Sequence, residues 1–231
     1  MLKVILAGFC ALATTLIGAW AGAAMAFRYQ RHREEEVKRN DQIQAVVAAQ
    51  HALYFMWRLL AYVRYTYLDP QRDDEDNRHK MLGKYHLVEH RVPIDFNSLT
   101  FLFQRNFRGL LSNIFIAERA FLNAVDAVRT RNDRHTAMEP KPGSEYVLDP
   151  ETKMVTLPLD PLQDEGMKIT TNALYVAVDG GMVQLERAFS VLRQAAKSNF
   201  PEIDFFLGDS NLTEAGFYNS QKKPQEGLAQ G

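Results

Sequence analysis

A long amphipathic helix is predicted by residues 43–68, which read IQAVVAAQHALYFMWRLLAYVRYTYL. The apolar residues recur three and four positions apart, the spacing of one wide face of an α-helix. The members of this face are Ile43, Val46, Val47, Tyr54, Trp57, Ala61, Tyr65 and Leu68, with Leu53 and Leu60 on its flank. The pattern predicts the first helix of a bundle. We expect it to end at Asp69-Pro70, because proline disfavours helix at the residue before it.

Aromatic side chains surround the second half of this helix. They are Tyr54, Phe55, Trp57, Tyr62, Tyr65 and Tyr67. A helix that is aromatic on most sides is packed by several neighbours or by a partner. The first interpretation is packing within the bundle. The second is a groove for a partner helix or a small apolar ligand, with Tyr54, Trp57 and Tyr65 as its interaction residues.

Toward the N-terminus, the charged residues 28–42 predict a helical stalk, and residues 1–27 predict a membrane anchor. Val4–Phe27 is a run of 24 residues without a charged side chain. As a helix it would be about 36 Å long, against a hydrocarbon core of roughly 30 Å. The arginines that follow, beginning with Arg28, favour the cytoplasmic side of a bilayer. We therefore expect a single-pass protein of the plasma (inner) membrane with a cytoplasmic C-terminal domain.

A cleaved signal peptide is the alternative for the same residues. Lys3 would be the basic residue at its N-terminus, and Ala24-Met25-Ala26 would be its small-residue cleavage site. The protein would then be exported after cleavage.

Gly18 and Gly22 lie four residues apart within the apolar run. This spacing lets two membrane helices approach closely, so it predicts a helix–helix contact in a dimer. The competing interpretation is that glycine and alanine are simply common in membrane spans.

The C-terminal part of the chain completes a bundle domain over residues 43–208. A second long helix is expected from Asn97 or Ser98, as its cap, to about Arg131. A small hairpin is expected around Asp149-Pro150, and a further helix over 162–199, weakened or kinked at Gly180-Gly181. The apolar positions of these two helices include Leu99, Leu102, Phe103, Phe107, Leu110, Leu111, Ile114, Phe115, Phe121, Leu122, Val125, Val128, Met167, Ile169, Leu174, Val178, Met182, Leu185, Phe189 and Leu192. Residues 209–231 are polar and predicted to be largely disordered. The expected fold is thus mainly α: a transmembrane helix continuing into a stalk and an antiparallel helical bundle, with a small β element.

An internal duplication is predicted for residues 92–131 and 157–199. The string Glu-Arg-Ala-Phe occurs at 118–121 and again at 186–189. Each copy follows a segment in which proline stands between two aliphatic residues and aspartate comes next, at 92–95 and 157–160. The competing interpretation is chance identity between two helices of similar composition.

One string has the spacing of a metal site. His86-Leu87-Val88-Glu89-His90 matches a pattern in which two histidines bind zinc from one helix face and the glutamate acts as base. His86 and His90 are therefore the candidate metal ligands. Gly83 and Pro93 leave room for only about two helical turns, so a surface histidine pair is the competing interpretation.

The remaining polar groups indicate no catalytic chemistry. The arginines around the second helix, at 105, 108, 129, 131 and 134, are expected on a solvated face, as is the acidic run 73–76. The chain has 27 basic and 28 acidic residues, so its net charge creates no strong electrostatic attraction for nucleic acid. No glycine-rich phosphate loop, serine elbow or dinucleotide fingerprint occurs in the sequence, and no cofactor is expected.

Three functional hypotheses follow. The first is a non-enzymatic, membrane-anchored interaction or scaffold protein whose partners are the lipid bilayer and either a second copy or another protein. The second is a membrane-tethered sensor that binds a small ligand between helices. The third is a metal-dependent hydrolase that uses the string from His86 to His90.

Overall fold

The computed structural model describes residues 2–85, 93–105, 108–138, 147–148, 155–156, 160–203 and 205, with only the backbone for residues 2–13 and a few others. The chain is mainly helical, as predicted. The longer helices are α1 (Leu2–Val63), α3 (Arg108–Ala137) and α4 (Pro161–Asn199), and α2 (Arg78–Met81) is a single turn. The strands β1 (Val147–Leu148) and β2 (Val155–Thr156) pair antiparallel within the segment predicted as a hairpin. The chain divides into two units, Met1–Ala45 and Val46–Gly231.

In the first unit, the described side chains belong to α1 and are almost all exposed. Its large exposed apolar side chains are Leu16, Ile17, Trp20, Met25, Phe27, Tyr29 and Val37. Further along, Gln30 donates to Glu34 and Arg31 donates to Glu35 across one helical turn. Within the residues described, no helix meets the length and apolarity that crossing a membrane requires.

The second unit is an antiparallel bundle. Ala120 and Arg134 of α3 lie beside Gly181 and Gly166 of α4, so these two helices run in opposite directions. The core between the helices consists of aliphatic, alanine and aromatic side chains. Its fully buried larger members include Leu53, Trp57, Leu60, Leu68, Leu99, Leu102, Leu110, Ile114, Leu174, Met182 and Leu185.

The buried face of α1 is rotated from its predicted centre. Leu53 and Leu60, placed on the flank by the sequence pattern, are fully buried, whereas Tyr54 and Tyr65 are only half-buried. The helix also ends differently, because it widens into a π-helical turn at Arg64–Leu68 and tightens into a 3-10 turn at Asp69–Gln71. Proline is tolerated in that first turn, where its missing N–H would have no partner.

The second long helix begins later than predicted. Residues 96–99 form turns and Thr100–Arg105 a 3-10 helix, so the α-helix starts at Arg108. Neither Asn97 nor Ser98 is its cap, because both lie ten or more residues before Arg108. Two of the apolar positions named for these helices, Phe115 of α3 and Ile169 of α4, are exposed.

The last helix spans Pro161–Asn199, close to the predicted 162–199, and Asp160 caps it by accepting from the Leu162 N–H. It continues through Gly180-Gly181 without interruption, and the predicted weakening or kink at these glycines stays a prediction. Buried positions in α3 recur in α4 68 residues further on: Ile114 with Met182, Phe121 with Phe189, and Val128 with Ala196. This agrees with a duplicated helix, although the duplication itself stays a prediction.

Candidate functional site

A cluster of arginines and tyrosines lies where the segment 68–85 meets α3 and α4, and Tyr175 is at its centre. The Tyr175 hydroxyl donates to the Leu68 carbonyl at 2.7 Å, at the end of the π-helical turn. The guanidinium carbons of Arg72 and Arg78 lie 5.2 and 4.4 Å from the centroid of the Tyr175 ring. These are cation–π distances. Burial is the main cause of a raised pKa for the Tyr175 hydroxyl, so this ring is neutral at physiological pH.

Arg72 joins this segment to α4 through Asp179. Its two terminal nitrogens donate to the two oxygens of Asp179 at 2.8 and 3.0 Å. Its Nε donates to Asp69 at 2.8 Å. The hydrogen bonds that Arg72 donates to Asp179 are the largest cause of its raised pKa. The paired fork geometry is the strong form of the arginine–carboxylate contact.

Arg131 is the most unusual member, because its side chain is fully buried. Its terminal nitrogens donate to the carbonyls of Leu82 and Gly83, the latter at 2.6 Å, and its Nε donates to Thr171. The guanidinium carbon lies 5.3 Å from the centroid of the Tyr85 ring. Burial lowers the pKa of Arg131 and raises that of Tyr85. Among the described residues, no carboxylate forms an ion pair with Arg131.

Asn132, next to Arg131, holds the same segment from the same helix turn. Its amide accepts from the Tyr85 N–H at 3.1 Å and donates to the Tyr85 carbonyl at 2.7 Å. The Asn132 side chain therefore makes the pair of backbone hydrogen bonds that a neighbouring β-strand would make with Tyr85. Together, Arg131 and Asn132 provide hydrogen-bond partners for backbone groups of Leu82, Gly83 and Tyr85, of which Leu82 and Tyr85 are buried.

A histidine–aspartate pair joins α2 to the start of α4. His79 is buried, and its Nε2 lies 2.9 Å from Asp164 Oδ1. This hydrogen bond is the largest cause of a lowered pKa for Asp164. Asp164 stands in the first turn of α4, where the helix dipole also favours a carboxylate.

These contacts define what the arginine–tyrosine cluster (Arg72, Arg78, Arg131, Tyr85 and Tyr175) does chemically. The two carboxylates that bind Arg72, Asp69 and Asp179, also lie 3.5 and 3.6 Å from the Arg64 Nε, and Arg78 binds Asn172. The buried Tyr85 hydroxyl has no hydrogen-bond partner among the described residues. The remaining polar groups of the cluster hold an irregular segment against two helices, which is the geometry of a structural clamp.

The predicted interaction residues of α1 are in different environments. Trp57 is buried, its ring is stacked with that of Tyr54, and its indole N–H donates to Glu186 at 3.0 Å. Trp57 therefore packs inside the bundle. Tyr54 and Tyr65 are half-buried, with Arg64 lying 5.4 Å from the centroid of the Tyr65 ring. A role for Tyr54 and Tyr65 in binding a partner stays a prediction.

Gly18 and Gly22 are exposed, and a β-carbon built on either would meet nothing within 4 Å. Their predicted helix–helix contact remains a prediction. His86, Glu89 and His90 lie outside the described residues, as does the tail 209–231. In the remainder, no group of three or more histidine, cysteine, aspartate or glutamate side chains has the arrangement of a metal site.

Arg131 shows what the sequence interpretation missed, because it was assigned to a solvated face. Position 131 continues the buried series Ala117, Phe121, Ala124 and Val128 at spacings of three and four. That spacing was the signal available in the sequence. Arginine is so rarely buried without a carboxylate that its residue type argued against the position.

Comparison of the chain with protein-family models, with curated proteins and with solved structures gave no match.

Proposed function

We propose that this chain is a membrane-anchored interaction protein, in which an N-terminal helix lies in the bilayer and the bundle binds a protein partner at the cytoplasmic surface. The observation that carries the proposal is the apolar run Val4–Phe27, which lies entirely within the helix α1. Its described second half exposes Leu16, Ile17, Trp20 and Met25. Side chains of this kind are stabilised by lipid rather than by water.

Residues 4–13 of the run belong to the same continuous helix α1. Basic residues follow the run directly and remain exposed on α1. They support a cytoplasmic position for the bundle.

A non-enzymatic role is supported by the state of the polar groups. Arg72 with Asp179 and His79 with Asp164 are engaged with each other across the bundle. Groups committed to such contacts stabilise the fold and are not poised for proton transfer or nucleophilic attack.

The test is membrane attachment of the full chain, measured by flotation after carbonate washing. Ile17→Arg places a charge in the apolar run and should release the protein, since an arginine at the centre of a span costs about 2.5–3.5 kcal/mol. Val37→Arg is the matched control, because Val37 is also exposed on α1 but lies in the charged stalk. It should leave attachment unchanged.

A topology reporter fused to the C-terminus should be active only on the cytoplasmic side. Mature protein that begins near residue 27 and does not float with membranes would refute the proposal and favour export. Equal attachment of the wild type and the Ile17→Arg variant would also count against it.

A further inference from the structure

The outward ridge of α4 is apolar over several turns. Going along the helix, its exposed positions are Glu165, Ile169, Ala173, Val176, Gly180, Val183 and Arg187, which we call the α4 seam. They are three and four residues apart, so they form one continuous stripe.

The large side chains of the seam are open to solvent. Ile169 is 59% exposed, Val176 74% and Val183 58%. A β-carbon at Gly180 would meet nothing within 4 Å. The outward face of α3 also exposes two apolar side chains, Phe115 and Ile116, but within a single helical turn, with the polar Ser112, Asn123 and Asp126 before and after them. The apolar stripe of α4 extends over several turns, and extended apolar stripes mark contact surfaces.

The order of residues in the seam is self-complementary about Val176. A two-fold axis at Val176 places Glu165 opposite Arg187 and Ile169 opposite Val183, and it brings the small residues Ala173 and Gly180 to within one residue of opposite positions. Glu165 and Arg187 stand at equal separations from Val176, about 16 Å along the helix axis. Neither side chain makes an ion pair within the described part of the chain.

We propose that the α4 seam binds the α4 seam of a second copy of this chain, antiparallel and with a two-fold axis at Val176. Such an interface uses the same patch on both subunits, as a two-fold dimer requires. The β-branched residues meet at the centre, the small residues let the helices approach, and a Glu165–Arg187 pair closes each end. This inference rests on the proposed interaction role and names its partner.

Charge reversal in the full chain, purified in detergent, tests the pairing by sedimentation equilibrium. Glu165→Arg or Arg187→Glu alone should weaken dimerisation about 3–10-fold, because each places like charges opposite one another at both ends of the interface. The double variant should restore the wild-type dissociation constant. Both residues are exposed, so circular dichroism should show unchanged folding.

Two further variants test the centre. Val176→Lys should weaken dimerisation by about 100-fold or more, since it brings two buried charges together at the axis. Asn123→Lys on the polar face of α3 is its matched control and should have no effect. In a Cys10→Ser background, a short bismaleimide should link Val176→Cys chains to each other and leave Asn123→Cys chains unlinked.

A monomeric wild type would overturn the inference, and so would a dimer that none of these variants weakens. Linkage of residue 176 to a different protein, with no second copy captured, would assign the seam to another partner and overturn it as well. Flotation of membranes from the same cells, before detergent is added, separates the two proposals: a monomer that is membrane-bound refutes the seam alone, whereas a dimer that does not float refutes the anchor alone.

Discussion

Gly181 of α4 lies directly against Leu60 of α1: a β-carbon at position 181 would be 2.7 Å from Leu60 Cδ1 and 3.4 Å from the Ala120 carbonyl oxygen. Three helices of the bundle meet at this point. Glycine here serves close packing, and its neighbour Gly180 faces outward.

Replacing these two glycines should have opposite effects on stability. Gly181→Ala should lower the free energy of unfolding by about 1–3 kcal/mol, because the added methyl group overpacks the core. Gly180→Ala should raise it by about 0.5–1 kcal/mol, because alanine forms helix better and meets no neighbour. Urea unfolding followed by circular dichroism measures both. If the two variants changed stability in the same direction, the close contact at 181 would be refuted.

Loss of the buried Arg131 should destabilise the bundle strongly. Arg131→Ala leaves the carbonyls of Leu82 and Gly83 without their donor and removes a packed stem, which together cost about 2–4 kcal/mol. Arg131→Met should lose less, because it retains the stem and removes a desolvated charge. Arg129→Ala is the control on the same helix. Arg129 is exposed, so the change should stay within about 0.5 kcal/mol. Similar losses for the alanine variants at 129 and 131 would contradict the buried position of Arg131.

Arg72 and Asp179 should be energetically coupled. We expect a double-mutant cycle with Arg72→Ala and Asp179→Asn to give a coupling free energy of about 1 kcal/mol. This is less than for a buried pair, because solvent screens these partly exposed side chains. The coupling should fall as salt is added. Arg72→Lys should recover only part of it, since lysine lacks the planar fork. A coupling near zero at low salt would show that the two contacts do not stabilise the fold.

The His79–Asp164 pair should contribute to acid stability. The folded-state pKa of Asp164 is lowered, chiefly by the His79 hydrogen bond, relative to an unfolded value of about 3.9. Its contribution is therefore present above the unfolded pKa and lost as pH falls through the folded pKa. The difference in unfolding free energy between the wild type and Asp164→Asn should be largest near neutral pH and shrink below about pH 4. A difference independent of pH over that range would exclude a role for the Asp164 charge.

The periodicity of apolar residues was sufficient to predict the helices. Residues 43–68 and 162–199 have the three-and-four spacing of an α-helix; α1 covers the first range as far as Val63, and α4 covers the second. Such patterns are local properties of the chain, because a helix repeats its side-chain directions every few residues. The conformations at the ends of the helices could not be predicted from this spacing. At Arg64–Leu68 the π-helical turn presents the Leu68 carbonyl to Tyr175, a residue far away in the sequence.

Contacts between residues far apart in the sequence determine which side chains are buried, because burial depends on which face of a helix the other helices cover. Arg131 is accommodated in the core because the Leu82 and Gly83 carbonyls accept its hydrogen bonds, and Gly181 has no room for a side chain because Leu60 fills the adjacent space. Ile169 has the residue type of a core position, yet no described helix packs against that side of α4. Hydrophobic spacing thus accounts for where helices form. The packing of distant residues accounts for which apolar side chains remain exposed, and so for the surface that we propose binds a second copy.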